Sequence, residues 1–349
     1  MRFRGMMKSC GVGGVAVALV IGSVGSAFAV DQKLIDAAKK EGQVVWYSTL
    51  IVNQLVRPVA QAFEKKYPGI TVKYSRTPAG EMALKLQNEI RANAVQADVF
   101  DANSAFFQAM PLKNLVEYKP EAAKHYPDNL KDPKGRFTAV NVFTMATGIN
   151  TSLVPKDQWP KTYEDLLDPK WKGKMAWTTD LTPNGPPGFI GNILAFMGEK
   201  KGMEYLEKLA KQNIAAVPAS QRVVLDQVIS GQYQIGLMIF NHHTVISAKK
   251  GAPVTWLRIE PLISTGNYVG LIKHSPHPNA GKLFEEYLLS KEGQMVFQKA
   301  NYLPADPDVP AAEPSLKPKQ GGFKATVITN EMALANLPKW IGIYKKLFK

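Results

Sequence analysis

The sequence predicts an α/β fold in two lobes, on three observations. Short β-rich runs alternate with amphipathic helical stretches along nearly the whole chain. About 320 residues follow an export leader, a length that usually divides into two domains. That exported part has no cysteine, so a large apolar core rather than disulfides must hold it together.

The leader comes first. Arg2, Arg4 and Lys8 form a basic start, residues 11–25 an apolar, charge-free run, and Ala27-Phe28-Ala29 a small-x-small cleavage site before Val30. The apolar run is about 15 residues, short of the roughly 20 that span a bilayer, so residues 1–29 read as a cleavable signal peptide rather than an anchor. The sole cysteine, Cys10, lies inside it, in a Lys-Ser-Cys-Gly context unsuited to a lipidated terminus.

From residue 30 the elements follow a β-α-β-α-β succession. Residues 31–41 read as a helix and 43–47 as a strand ending in Ser48-Thr49; 52–66 carry a helical stripe of Val52, Leu55, Val56, Val59 and Phe63, closed by Tyr67-Pro68-Gly69. Residues 70–74 are a second strand, 79–92 a helix, and 97–101 a short strand before Asn103 and a helix from about residue 105. A polar, Pro-rich passage (118–134) and a strand-like run (137–149) open the second region. There 163–167 is a short helix and 174–177 a strand stopping at Thr178-Thr179-Asp180. Asn184-Gly185-Pro186-Pro187-Gly188 starts a helix over 189–197, its prolines well placed in the first turn. Helices at 202–211 and 222–230 and a strand at 235–240 follow; then 254–259 and 268–272 are both candidates for the strand that returns to the first lobe. In the C-terminal stretch, 326–349, Pro338 interrupts a helical period, which predicts two short helices packed on one lobe for stability alone.

Charge narrows the partners. Loss of the leader's three basic residues takes the formal charge from +14 to about +11. The lysines are scattered in pairs, from Lys39-Lys40 to Lys345-Lys346, and not gathered in one arm with interleaved aromatics. This argues against nucleic acid and membrane surfaces and leaves an anionic small ligand.

Several passages together resemble the type II periplasmic substrate-binding proteins of ABC importers, in the subgroup with ferric-ion and phosphorylated-sugar binders. They are Val44-Val45-Trp46-Tyr47-Ser48-Thr49, the run from Phe63 through Tyr67-Pro68-Gly69-Ile70, Ala97-Asp98-Val99-Phe100, Pro160-Lys161-Thr162-Tyr163-Glu164-Asp165-Leu166 with Trp171-Lys172-Gly173-Lys174, Pro278-Asn279-Ala280-Gly281 and Tyr287-Leu288-Leu289-Ser290-Lys291-Glu292-Gly293-Gln294. The resemblance implies a periplasmic protein of two α/β lobes joined by crossover strands, closing on a ligand in the cleft and delivering it to an inner-membrane ABC permease. The expected partition is 30–140 with about 262–310 for lobe one, and 141–261 with about 311–349 for lobe two. A monomer without cofactor is expected.

Ligands of open α/β sheets sit beyond the carboxyl ends of strands, where helix N-termini converge. The candidates at those places are Tyr47, Ser48, Thr49, Thr77 and Asn103 in lobe one, and Thr178, Thr179, Asp180, Arg222, Asn241 and His242 in lobe two. The hydroxyls of Ser48, Thr49, Thr178 and Thr179 suit an anion or an N-cap equally. Arg222 sits in a first helical turn, where a cation opposes the helix dipole; it calls for either an anionic ligand or an ion pair with Asp226. His242 and His243 are expected on a strand, on opposite faces, so at most one reaches a shared ion. In ferric binders the corresponding residues are two tyrosines, and imidazole suits softer ions than ferric iron, so metal is the alternative and not the main reading. His125, His274 and His277 read as loop residues. No nucleophile elbow, P-loop or cysteine nucleophile is present, so a binding protein is expected rather than a hydrolase built on Asp180 and the histidines. The main reading is a small phosphorylated or carboxylated organic solute.

Overall fold

The computed structural model describes Met1 and residues 30–349, so the leader, Met1 apart, lies outside the described residues. The first half alternates as its apolar periods require: α1 (Gln32–Glu41), β1 (Gln43–Ser48), α2 (Arg57–Lys66), β2 (Thr71–Arg76), α3 (Ala79–Arg91), β3 (Val99–Ala102) and α4 (Ser104–Ala109). The helix expected over 52–66 opens as a wide π turn, Val52–Val56, before α2 begins. Pro58 lacks the N–H that an α-turn would use there, and Arg57 N reaches back five residues to Val52 O.

The chain then leaves through β4 (Thr138–Asn150) and continues as β5 (Met175–Thr178), α5 (Pro186–Met197), α6 (Glu199–Ala210), β6 (Ala215–Val217), α7 (Gln221–Ile229), β7 (Ile235–Phe240), α8 (Asn241–Ala248) and β8 (Val254–Leu257). It returns through β9 (Leu262–Leu271) to α9 (Pro278–Leu289), α10 (Lys291–Lys299) and β10 (Leu303–Pro304). The last elements are α11 (Pro318–Gly321), β11 (Ala325–Ile328) and α12 (Asn330–Phe348). Of the two candidate return strands, the one holding 268–272 crosses back, beginning earlier than expected at Leu262; β8 stays beside β4.

The sheet runs β2-β1-β3-β9-β4-β7-β5-β6. Parallel strands β2-β1-β3 lie on one side and β7-β5-β6 on the other, and β9 and β4 join them as an antiparallel pair from Thr138–Val269 to Met145–Ile263. Two large cores result, with smaller apolar clusters beside them. One holds Trp46, Phe63, Phe100, Phe284 and Tyr287, with Phe284 set edge-on to Phe63 (4.9 Å) and Trp46 (5.2 Å). The other holds Trp177, Phe189, Leu206, Trp340 and Tyr344.

The C-terminal expectation is corrected. In place of two short helices the stretch holds the end of β11 and one helix, α12, that carries Pro338 inside it. Burial of Ala333, Leu337, Trp340 and Tyr344 along one face outweighs the one missing N–H, so the helix continues past the proline. It also serves more than one core, since it packs against α4 of the first as well as α5 of the second. Among the described residues no helix is long and apolar enough to cross a membrane.

Gly191 of α5 gives the Trp340 ring its place, because a Cβ there would stand 2.6 Å from Trp340 Cζ2. Gly191→Ala is expected to lower stability by about 1–3 kcal/mol, the usual cost of overpacking. Urea denaturation followed by tryptophan fluorescence measures it.

Candidate functional site

The carboxyl ends of β3 and β7 run toward the middle of the β4–β9 pair from its two ends, with β1 parallel beside β3, and polar side chains gather there. Thr49, just past β1, donates from its N (3.2 Å) and Oγ1 (3.0 Å) to Asp101 Oδ1. Asn267 of β9 donates from Nδ2 to the same oxygen at 2.8 Å. Asp101 is fully buried and its Oδ2 has no partner. Burial pushes its carboxyl above the usual range, against the opposing hydrogen bonds of Asn267 and Thr49.

Asn141 of β4 stands opposite Asn267 in register, so both side chains lie on one face. It is fully buried, and neither its Oδ1 nor its Nδ2 has a partner. Arg76 closes this side, its Nε donating to Thr49 O (3.3 Å) from an exposed position. Tyr302 completes it, its hydroxyl accepting from Ile51 N at 3.4 Å.

The crossing to the second side runs from Tyr302 to His242, ring centroids 6.4 Å apart. The strand expected for the histidines is a helix: Asn241 begins α8, and the His242 and His243 rings come within 4.4 Å instead of facing opposite ways. Successive helical residues are about 100° apart, not 180°. Burial, with the neighbouring His243, pushes the His242 imidazole down to about 3; burial and the Arg222 charge, opposed by Asp226, push His243 down to about 4. Both rings are therefore neutral at pH 7, with both Nδ1 atoms buried and unpartnered.

Around them, Arg222 is bidentate to Asp226 (2.7 and 3.2 Å) and donates to Ser247 Oγ (3.0 Å), so the ion-pair alternative is the arrangement seen. Asn241 Nδ2 donates to Leu316 O at 3.0 Å, leaving Oδ1 without a partner. Thr178 donates to Ala219 O, and Thr179 N to Val217 O, holding the end of β5 to the end of β6 and the loop before α7. Asp180 organises the turn after β5 by accepting from Thr182 N (3.0 Å), Thr182 Oγ1 (2.9 Å) and Gln221 Nε2 (3.1 Å). Gly185 must pass against it, because a Cβ would lie 2.0 Å from Asp180 O.

Three candidates are engaged elsewhere. The Tyr47 hydroxyl donates to Glu89 of α3 (2.8 Å), Asn103 caps α4 by accepting from Ala105 N (3.0 Å), and Thr77 N donates to Ser48 O (3.0 Å). Ser48 is buried and accepts from Leu50 N at 3.1 Å. Sequence reasoning missed Asn141, Asn267, Arg76 and Tyr302. The available signal was polar residues inside apolar strands: Asn141 and Thr144 in β4, and Ser264, Thr265 and Asn267 in β9, where burial on both faces calls for hydrocarbon.

The helix starts complete the electrostatics. Neither Ile51 before the π turn, Ser220 before α7 nor Phe240 before α8 caps its helix with a side chain. First-turn N–H groups have no intrahelical partner, so these ends carry partial positive charge toward the strand termini.

Residues 59–322 match the family described as bacterial extracellular solute-binding protein. The chain belongs to that family. Such proteins take up a small solute between two lobes and hand it to an ABC importer, and this solute-binding protein is a component of that kind. It is 26% identical over 286 residues, 79% of each chain, to a putative 2-aminoethylphosphonate-binding periplasmic protein of Salmonella paratyphi A. Its fold matches Trichodesmium IdiA (FutA) in complex with iron and citrate, at a TM-score of 0.73 and 19% identity over 88% of this chain and 99% of that one. It also matches AfuA of Actinobacillus pleuropneumoniae with fructose-6-phosphate bound, at 0.70 and 22% over 88% and 98%. The solute-binding protein thus has the type II periplasmic binding fold.

Asp101→Asn tests the buried carboxyl. A carboxyl whose pKa rises on folding weakens the folded state as pH climbs through that raised value, since the folded form holds its proton longer. Asn keeps the Oδ1 acceptor and has no charge to bury. The variant is expected to gain stability relative to the parent between pH 4 and pH 7, read by urea denaturation across that range.

Proposed function

We propose that this solute-binding protein captures a small phosphorylated or carboxylated organic solute in the periplasm and delivers it to an inner-membrane ABC permease without chemical change. The observation that supports the reading is three helix starts without side-chain caps, at Val52, Gln221 and Asn241, each following a strand that ends in this sheet. Residues 30–140 with 262–310 form one lobe and 141–261 with 311–349 the other, in keeping with the two cores. The lobes close as a hinge on β4 and β9, and the ligand favours the closed state by touching both.

In this reading Thr49, Arg76, Asn141 and Tyr302 contact the solute from lobe one and the hinge. Arg222, Asn241, His242 and His243 contact it from lobe two, with Arg222 shared between the ligand and Asp226. The free oxygen of Asp101 and the turn at Asp180 accept from hydroxyl or amino groups of the solute. The relative named for 2-aminoethylphosphonate fits such a ligand.

Iron is the second reading, favoured by the fold shared with an iron and citrate complex. Two neutral imidazoles suit it less than oxygen donors do, and among the described residues His242 and His243 join no group of three metal-ligating side chains.

A thermal-shift panel of phosphonates, sugar phosphates, dicarboxylates and ferric citrate tests both. The cognate solute stabilises by about 2.7 kcal/mol at a hundredfold excess over its Kd. Arg76→Ala and Arg222→Ala are each expected to weaken it about tenfold, as loss of a charge-assisted hydrogen bond does. Stabilisation by ferric ion alone, with a visible charge-transfer band, would replace the organic anion by metal.

A further inference from the structure

A second cluster of chemistry lies away from the cleft and shares no residue with it. His125 follows the 3-10 turn Glu121–Ala123, and Asp306 and Asp308 follow β10, so distant segments bring them together. One ligand atom from each lies within 4.8 Å of the others. His125 Nε2 is 3.0 Å from Asp306 Oδ1, which also accepts from Asp308 N at 2.8 Å.

Asp306 is 1% exposed, yet among the described residues its Oδ2 has no hydrogen-bond partner, and the residue lines a cavity of about 700 Å³. That cavity also receives Asp31, Glu121, Glu286 and Glu292, an accumulation of carboxylates in a chain whose formal charge is +14. Lys317 is the buried cation beside the cluster, and its Nζ is taken by backbone oxygens, Asp306 O (2.8 Å) and Val309 O (2.9 Å). Lys66 and Lys291 also line the cavity, and Lys66 pairs with Glu292, so His125 is the ionisable side chain in contact with the Asp306 carboxylate.

We propose that His125, Asp306 and Asp308 bind one divalent first-row transition ion at this cavity. One imidazole nitrogen and two carboxylate oxygens suit Zn²⁺ or its neighbours, with water filling the remaining positions. The ion replaces the His125–Asp306 hydrogen bond and ties the segment after Ala123 to the loop that runs from β10 toward α11.

The test is calorimetric titration of the chelator-stripped protein with Zn²⁺, paired with melting temperature. The protein is expected to bind one equivalent at this cavity and to melt higher with it. His125→Ala and Asp308→Asn alter two exposed side chains, and circular dichroism verifies that each variant folds. Each is expected to lose at least tenfold in affinity, and the His242→Ala, His243→Ala double variant to lose none. Absence of saturable binding up to about 1 mM overturns the proposal, as does equal affinity in the folded His125→Ala and Asp308→Asn variants. Loss of the ion in the His242, His243 double variant would place it in the cleft and overturn the proposal equally.

Discussion

The pairing of β4 with β9 is the constraint on which the molecule depends. Both strands are buried for most of their length, and a buried strand must find partners for its N–H and C=O groups. Each supplies the other from Thr138–Val269 to Met145–Ile263, so the two halves of the sheet are joined by a hydrogen-bonded ladder and not by loops. The same pairing fixes where the parallel strands end. β3 borders β9 from one end of the ladder, with Asp101 at Val269, and β7 borders β4 from the other, with Phe240 at Met145, so both strands run toward its middle.

Polarity inside this buried ladder separates the hinge from the cores on either side. Asn141, Thr144, Ser264, Thr265 and Asn267 replace hydrocarbon where burial would favour it. Some of that cost is offset within the protein, as by the Thr265 hydroxyl on Asn184 Oδ1 at 2.6 Å and by Asn267 on Asp101. Asn141 and the second oxygen of Asp101 have no such offset. Unpartnered buried groups of this kind are expensive, and a ligand that hydrogen-bonds them binds more strongly for it.

The electrostatics favour dipoles over fixed charges. His242 and His243 are held neutral by burial, the Arg222 guanidinium is balanced by Asp226, and the Asp101 carboxyl is pushed up by desolvation. Beside the Arg76 guanidinium on Thr49 O, the helix starts without side-chain caps add partial positive charge that needs no reorganisation when an anion arrives.

Local chemistry determined much of this protein from the sequence alone. Apolar periods placed α1, α3 and α5 and strands β1, β2, β5 and β7 close to where they stand, because burying one stripe or one face is a decision each segment makes with its own residues. The strand ends that open on the hinge, including Thr49, Asp180 and Asn241, followed from the same pattern. Tertiary structure alone decided the rest. Pro338 stays inside α12 because a buried face compensates for one lost hydrogen bond. His242 and His243 lie on a helix, and Asn141 meets Asn267 through a register between strands more than a hundred residues apart. Asp306 finds His125 in the same way, across 181 residues. Such meetings arise when long-range packing closes the sheet, and no local propensity records them.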